Sequence, residues 1–448
     1  MIGLKDFFPA NSQEEWSERL KKDLKADNLD LLDRYDPIEE IGYKCYGHSE
    51  LGAQNSGSPG ELPLTRGIRT SSNEWRNVSH INVNNDIKAN EQALDALMKG
   101  ADMICFTLTK ESDLSKLLKD IQLEYIHIAF IPSSVDQFKQ IKKDIVNNNP
   151  LNTSLWLDLA SNEDGWELMT KEDILNPSGT QSNLFLVDGF MLRETGASTI
   201  QEILFALLTG HEYLIRLMKK GLTIDEASAC IHFRNGIGSN YFIEIAKTRA
   251  LKELWAKVVR SYHPEHFCSN TCSISAFTGN VNKSVKDPYT NLLRQTTEAM
   301  SAILGGIDNI CVEPYDSCTS NQSVLAKRMG LNIPLILKEE SYFNFVTDPM
   351  GGSYSLEDLT WTLAVKSWSL FALLDKEGGI YDPNVASELR NLVQNTREKR
   401  IQQIKNGEKI LIGINKFINP QEETNQFHPA TKYFEMNTLI LERDLIEI

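Results

Sequence analysis

Apolar and polar positions follow a regular order along most of this chain, in which short apolar runs alternate with longer helical patterns. Eight runs have the length and composition of buried strands, at 77–83, 102–108, 125–131, 154–160, 183–189, 229–233, 271–276 and 309–312. Between them apolar residues recur every three to four positions, which predicts helices at 87–99, 113–121, 135–146, 164–173, 200–219, 240–259 and 289–304. A last helical region starts near 323, is expected to break at Pro334, and continues into 356–374.

This alternation predicts an α/β fold in which eight parallel strands and their helices close into a (β/α)8 TIM barrel. A doubly wound open sheet would show the same alternation, and the eightfold count favours the barrel. Outside the barrel the pattern changes. We therefore divide the chain into an N-terminal helix and extended arm (1–70), the barrel (71–382), and a C-terminal helix, closing segment and tail (383–448).

The N-terminal region is predicted to be an arm rather than a packed domain. A charged helix at 14–27 would turn Trp16 and Leu20 inward. Glycines and prolines then crowd 52–63, which favours an extended course over a folded unit.

The stretch from Phe233 to Arg260 predicts a strand, a tight turn at 235–238 and a long helix. Its apolar stripe includes Phe242, Ile245, Leu251, Leu254, Trp255, Val258 and Val259. We expect Asn235 or Ser239 to cap this helix and Glu253 to pair with Lys257. The turn Gly236-x-Gly238 lacks the third glycine of a dinucleotide fingerprint, so close packing of helix on strand is the favoured interpretation.

Composition is that of an ordinary soluble protein, with 41% hydrophobic and 24% charged residues. A formal charge of −15 argues against nucleic acid and against anionic membranes as partners. The start has no basic segment followed by an apolar one, no run is long enough to span a membrane, and the seven cysteines are scattered as for reduced thiols. We expect a cytoplasmic protein.

Three further groups of residues could carry a site, and each has a structural interpretation that we favour. A zinc site could use His263, His266, Cys268 and Cys272, but the spacing is irregular and a loop surface is expected. Glu339 and Glu340 could be paired acids but are expected to be solvated, or bound to Lys338 or a nearby backbone group. Trp361, Val365 and Trp368 have helical spacing typical of core or interface.

Three long stretches carry a resemblance to a known family. They read NGIGSNYFIEIAKTRALKELWAKVV from residue 235, DPYTNLLRQTTEAMSAILGGIDNICVEPYD from residue 287 and LILKEESYFNFVTDPMGGSYSLEDLTWTLAVKSW from residue 335. They resemble the adenosylcobalamin-dependent acyl-CoA mutases, the methylmalonyl-CoA mutase family. The resemblance extends from about 14 to about 417, and it also implies a barrel, with an N-terminal arm that wraps a partner subunit.

At the end of the fifth strand the chain departs from the chemistry of that family. The segment from Val187 to Ala197 is similar to the family motif GYHMQEAGA, but Phe190 stands in place of tyrosine, Met191 in place of the substrate-facing histidine and Arg193 in place of glutamine. A thioether cannot donate a strong hydrogen bond to a carbonyl or move a proton. The resemblance therefore implies that this chain has no catalytic residues.

Other features of the family are also missing. The first strand has no tyrosine to lie against cobalamin; His80 or Ile81 is nearest to its place. Of the insertion that supplies CoA contacts, only Ser178 to Ser182 remains. None of the eight histidines lies in an Asp-x-His-x-x-Gly cobalamin motif, and no C-terminal cobalamin-binding domain is expected.

The resemblance implies a small, non-catalytic subunit of a heterodimeric mutase. Such a chain would bind no cofactor itself and would stabilise a large catalytic subunit, which carries adenosylcobalamin and interconverts methylmalonyl-CoA and succinyl-CoA. We expect the arm and the helices at 240–259 and 356–374 to form the interface. Two alternatives are a substrate-binding subunit with a separate cobalamin-binding chain, and a scaffold protein derived from the barrel.

Overall fold

The computed structural model describes residues 11–44, 46–48, 56–146, 152–175, 183–320, 322–418 and 426–446. The N-terminal part contains α1 (Gln13–Leu24), β1 (Asp33–Asp36) and β2 (Ile41–Lys44). The first half of the barrel contains β3 (Arg76–Asn82), α2 (Asp86–Met98), β4 (Met103–Thr107), α3 (Leu114–Leu117), β5 (His127–Ile131), α4 (Val135–Ile141), β6 (Thr153–Leu155), β7 (Leu157–Asp158), α5 (Asp164–Glu167) and α6 (Lys171–Ile174).

The second half contains β8 (Phe185–Asp188), α7 (Gly189–Glu194), α8 (Thr199–Lys219), α9 (Ile224–Ala229), β9 (Ile231–Ile237), α10 (Tyr241–Arg260), β10 (Ser273–Thr278), α11 (Thr290–Leu304), β11 (Asn309–Cys311) and α12 (Val324–Glu339). After it come α13 (Tyr354–Lys376), α14 (Pro383–Lys405), the short pair β12 (Lys432–Tyr433) and β13 (Met436–Asn437), and α15 (Leu441–Ile446).

The main sheet is a parallel barrel. Its strand order is β6-β5-β4-β3-β11-β10-β9-β8-β7, and the two end strands are consecutive pieces of one extended stretch interrupted only at Trp156. Both pieces bond to their neighbours, with Ile128 opposite Thr153 on one side and Leu157 opposite Phe185 on the other. The sheet therefore closes on itself, and the predicted (β/α)8 barrel is confirmed.

All eight predicted strands are present, whereas several helix predictions were wrong in detail. The segment 113–121 forms only the single turn α3, and 164–173 forms two short pieces, α5 and α6, rather than one helix. The expected break at Pro334 is absent because α12 runs through it. Burial of Ile333 and Leu337 against the barrel offsets the hydrogen bond that proline cannot make.

The central strand-turn-helix unit differs from its prediction at the turn. Strand β9 continues to Ile237, so Asn235 and Gly236 are strand residues and the turn is Gly238 and Ser239 alone. Asn240 is the N-cap, and its side chain accepts a hydrogen bond from the Ile243 amide at 3.5 Å. The sequence pattern places the turn too early because glycine is typical of turns, whereas Gly236 is a strand position that Arg193 approaches closely.

Two side-chain predictions for α10 were also wrong. Phe242 is 54% exposed instead of lying in the apolar stripe. The described contacts pair Glu253 with the Thr65 hydroxyl at 2.7 Å, and Lys257 with the ring of Trp368 at 3.8 Å from its centroid. These contacts to other parts of the fold replace the expected pair on a solvated face.

Part of the N-terminal arm packs on this chain's own barrel. Helix α1 has no buried residue, and Trp16 is half-buried, with its ring 5.2 Å from that of Tyr46. The carboxylate of Glu39, only 4% exposed, accepts hydrogen bonds from the first amides of α8, at Thr199 (2.7 Å) and Ile200 (3.0 Å). A carboxylate at a helix N-terminus satisfies otherwise unpaired amides, so this contact anchors the arm.

No helix within the described ranges is both long and apolar enough to cross a membrane. The six cysteines that the structure describes are free thiols, as expected from their scatter in the sequence.

A buried ionic cluster holds α10 against the barrel. The Lys247 ammonium is fully buried and bonds to Glu202 of α8 at 2.8 Å, to Glu244 at 2.6 Å and to the Gly236 carbonyl. Arg193 completes the cluster through a 2.9 Å contact with Glu244. A buried charge is stable only with such partners, so the cluster joins α7, α8, β9 and α10.

Replacing the central lysine tests this interpretation. We expect Lys247→Met to lower the free energy of unfolding by about 3–5 kcal/mol, since the buried Glu202 carboxylate would lose its cation and Glu244 would keep only Arg193. Urea denaturation followed by circular dichroism measures the loss. The control Lys405→Met, at an exposed position of α14, should change stability by less than about 0.5 kcal/mol. Equal stability of both variants would contradict the role given to the cluster.

Candidate functional site

The carboxyl ends of the barrel strands are where a TIM barrel binds and transforms its substrate. Helix α7 follows β8 at this end and carries the residues that the sequence singled out. Phe190 and Met191 pack in the apolar cluster inside the barrel, with the Phe190 ring 5.4 Å from that of Phe277. Arg193 instead points to α10 and α8, where it bonds to Glu244 and to the Thr199 hydroxyl. Two of the three residues therefore face the barrel interior.

On β3 the two candidate residues lie on opposite faces. Ile81 is buried in the core between strands and helices. His80 faces the interior, where its Nδ1 lies 2.9 Å from Glu313 and its Nε2 lies 2.9 Å from the Thr107 hydroxyl. Because successive side chains of a strand point to opposite faces, His80 faces the barrel interior and Ile81 does not.

A stack of two aromatic rings fills the middle of the barrel. The rings of Trp156 and His232 are 4.5 Å apart and nearly parallel, at 7°. His232 is fully buried, and its two nitrogens bond to the hydroxyls of Ser273 and Ser275 at 3.0 and 2.8 Å. Burial, reinforced by the charge of Arg234, lowers its pKa to about 3, so the imidazole is neutral.

Above this stack lies a buried ion pair. Arg234 bonds to both carboxylate oxygens of Asp188, and each side chain is only 5% exposed. The guanidinium carbon lies 5.2 Å from the centroid of the Phe190 ring and 5.1 Å from that of Phe277. Despite the burial, the charge of Asp188 raises the pKa of Arg234. The pair therefore lies in the barrel interior, against two rings of its apolar cluster.

The C-terminal tail reaches into the same mouth. Tyr433, at the end of β12, donates a hydrogen bond to the Asp158 carboxylate at 2.9 Å, and Tyr213 of α8 donates another at 3.2 Å. Burial, with the nearby charge of Asp188, raises the pKa of Asp158 to about 6. A side chain from the tail therefore reaches the end of β7, while its ring packs against the core between the sheet and the helices.

The rest of the tail runs across the same face, bonding to loops that follow several strands. The Leu439 amide donates to the Glu194 carbonyl at 2.6 Å and the Leu441 amide to the Val281 carbonyl at 3.0 Å. The Glu442 carboxylate accepts from the Val285 amide at 2.7 Å. The described part of the tail, 426–446, thus covers the mouth.

The sequence did not identify the filled axis or the tail's part in it. His232 and Arg234 are two positions apart on β9, a signal that both face one side, but nothing local indicates which side. The remnant at 178–182 lies outside the described residues, and so does any contact it makes.

The other candidate sites have structural roles. No group of three or more His, Cys, Asp and Glu residues within the described ranges is placed to hold a metal ion. The amides of Glu265 and His266 bond to Asp225, and Cys268 is exposed, which fits a loop surface. Lys338 pairs with Glu74 at 3.0 Å instead of with Glu339 or Glu340, which are exposed.

The turn before α10 is occupied by the chain itself. The Glu244 carboxylate accepts a hydrogen bond from the Gly238 amide, and Arg193 and Lys247 bind the same group. A carboxylate in this place takes the amide and cations that a phosphate would use. The packing interpretation of the glycine turn is therefore favoured over a dinucleotide site.

Comparison of the sequence with known proteins identifies the family of this chain. The family model of methylmalonyl-CoA mutase matches residues 176–438, more than half of the chain. The methylmalonyl-CoA mutase small subunit of Porphyromonas gingivalis is 32% identical over 444 residues, covering 92% of this chain and 70% of that protein. The chain belongs to the methylmalonyl-CoA mutase family.

Two other mutases of the family match over a shorter region. The methylmalonyl-CoA mutase of Rhizobium meliloti is 32% identical, covering 52% of this chain and 33% of that protein. The human mitochondrial methylmalonyl-CoA mutase is 30% identical, covering 54% and 32%. The matched region thus spans about a third of these two mutases.

One titratable group of this mutase-family barrel lies beside the tail. Glu194 is 5% exposed, and its two carboxylate oxygens share a bifurcated hydrogen bond from the Asn280 backbone amide, each at 3.0 Å. Burial raises its pKa from 4.5 to about 7, against the opposing effects of Asn280 and Lys283. The folded protein therefore binds this proton more tightly than the unfolded chain does.

The raised pKa predicts a pH-dependent stability. Between pH 4.5 and about 7 the folded state holds more protons than the unfolded state, so the contribution of Glu194 to stability falls as pH rises. Glu194→Gln should remove this fall. Its free energy of unfolding should exceed that of the original chain by on the order of 3 kcal/mol at pH 8, with little difference at pH 4.5. Chemical denaturation at several pH values measures it. The exposed control Glu377→Gln should follow the original chain; a parallel profile for Glu194→Gln would refute the assignment.

Proposed function

We propose that this chain is the small, non-catalytic subunit of a heterodimeric methylmalonyl-CoA mutase. It pairs with and stabilises a large subunit that carries adenosylcobalamin and interconverts methylmalonyl-CoA and succinyl-CoA. The observation that carries the proposal is the filled barrel axis, in which the Trp156–His232 stack and the Arg234–Asp188 pair lie where an acyl thioester would have to enter.

The residues at the strand ends support the absence of catalysis. Met191 and Phe190 are apolar at the positions from which a histidine and a tyrosine would contact the substrate. The nearby charged groups are engaged with one another, as Arg234 is with Asp188 and His80 is with Glu313. Neither pair offers a free group to polarise a thioester carbonyl.

The carboxyl face of this barrel does not fit a corrinoid. Tyr433 and the short pair β12–β13 lie over the mouth, and the tail bonds to loops after three strands. A flat macrocycle placed on this face would collide with the tail. We therefore place adenosylcobalamin on the partner and derive no chemical step on this chain.

An apolar stripe on α13 is a suitable contact for a partner. Trp361 and Val365 are 44% and 43% exposed, and Leu373 two turns further is 52% exposed. Helix α10, which the sequence suggested as an interface, is largely buried beneath α13, α11 and α8, and its exposed side chains are Phe242, Lys257 and Arg260. The expected contact therefore moves to the outer face of α13.

Co-purification tests the pairing. The tagged chain, isolated from its native extract, should bring down a larger chain in one-to-one ratio with cobalamin absorbance. Trp361→Glu with Val365→Glu should reduce recovery of that chain at least about tenfold, since charge would be buried at the interface. The control Lys376→Glu, at an exposed position of α13, should keep it.

Other results of this experiment would contradict the proposal. Recovery of a small cobalamin-binding chain would favour a substrate-binding subunit of a split enzyme. Recovery of the chain alone would favour a scaffold. Full retention of the partner by the double variant would place the interface elsewhere than α13.

Restoring the lost side chains tests whether the filled axis prevents catalysis. Phe190→Tyr with Met191→His returns the two positions to the family motif. We expect the purified variant, with adenosylcobalamin and methylmalonyl-CoA, to form no succinyl-CoA above background, because the axis remains filled. A catalytic mutase assayed beside it is the control. Turnover by the variant would refute the explanation from packing.

A further inference from the structure

The barrel wall opens between its first and eighth strands. Strands β3 and β11 pair at only two positions, Asn309 with Arg76 and Ile310 with Asn77, before their residues face a cavity. This cavity of about 410 Å³ lies between helices α2 and α12 at the carboxyl side of the two strands. Its size is that of a small-molecule site, and ligands of TIM barrels bind at this side.

We call this cavity the groove. Its floor is polar, and the side chains there are fixed by hydrogen bonds. His80 is bonded to both Glu313 and Thr107, so its ring is fixed. Asn82 of β3 and Gln92 of α2 line the wall beside it. A polar cavity with oriented donors and acceptors suits a hydrophilic ligand.

The charges around the groove do not cancel. Of its two carboxylates, Asp95 pairs with Lys99 at 2.6 Å and Glu313 pairs with His80. Lys327 and Arg328 have no carboxylate partner within the described residues, although Lys327 donates to the amide oxygen of Gln92 at 3.1 Å. With histidines counted as neutral, three cations (Lys99, Lys327 and Arg328) face these two carboxylates, so one net positive charge remains, in a chain whose formal charge is −15.

The start of helix α12 adds to this positive rim. The helix has 16 residues, and Lys327 and Arg328 lie near its beginning. Its first turn holds no acidic side chain to offset the helix dipole, although Asp316 accepts from the Ser323 amide at 2.7 Å. Helix and side chains thus favour an anion at the same place.

We propose that this groove binds a small polar metabolite through an oxyanion, a phosphate or a carboxylate. Lys327, Arg328 and the start of α12 hold the oxyanion, and Asn82 and Gln92 bond to the rest of the molecule. The site lies in the barrel wall beside the filled axis, with the interior-facing residues Val78, His80 and Cys311 in its lining, and it does not rest on the proposed mutase pairing. A non-catalytic barrel would then keep a ligand-binding role.

Thermal unfolding with two probes tests the proposal. Inorganic phosphate and succinate, each against sodium chloride at equal ionic strength, should raise the Tm of the full chain in a saturable way if they bind. The probe with the larger shift identifies the oxyanion as phosphate or carboxylate. Lys327→Gln with Arg328→Gln should weaken the apparent Kd at least about tenfold.

A matched pair of substitutions controls for net charge. Arg260→Gln with Lys376→Gln removes two exposed positive charges outside the groove and should leave the Kd unchanged. Glu313→Gln, which removes a negative charge from the floor and keeps an acceptor for His80, should strengthen binding. The proposal is overturned if neither probe gives a saturable shift, or if the groove variant binds as the original chain does.

Discussion

The ion pair between Arg234 and Asp188 is the constraint on which the barrel interior depends. Two charges at this depth are stable only when fully paired and shielded, and the rings of Phe190 and Phe277 provide the shielding. The pair occupies the axis and fixes the ends of β8 and β9. Its charges also act on their neighbours, because Arg234 contributes to the low pKa of His232 and Asp188 to the raised pKa of Asp158.

The tail completes this arrangement from outside. Its Tyr433 satisfies the buried Asp158 carboxylate, and its backbone bonds to loops that follow β8 and β10. The tail is thus a structural lid of the barrel as much as a terminal segment. A face closed in this way leaves the barrel wall between α2 and α12 as the larger opening on this side.

The ionic cluster around Lys247 holds the outer helices together, as the Arg234–Asp188 pair holds the strand ends together in the interior. It joins α8 and α10 through Glu202 and Glu244, and the second carboxylate also occupies the helix start that a phosphate would use. One arrangement therefore stabilises the barrel and closes off a site that the glycine turn suggested. The remaining exposed apolar surface of α13 is free for contact with another chain.

The sequence by itself determined the barrel and indicated that Met191 replaces the histidine of the family motif. Eight alternating repeats are a local, periodic signal, and the apolar Met191 can be recognised from one position of a motif. Only the tertiary structure decided which side chains fill the axis, that Asn235 and Gly236 belong to the strand, and that His80 rather than Ile81 faces inward. The physical reason is distance along the chain: the bond between Tyr433 and Asp158 joins residues 275 positions apart, and no local pattern encodes such a contact.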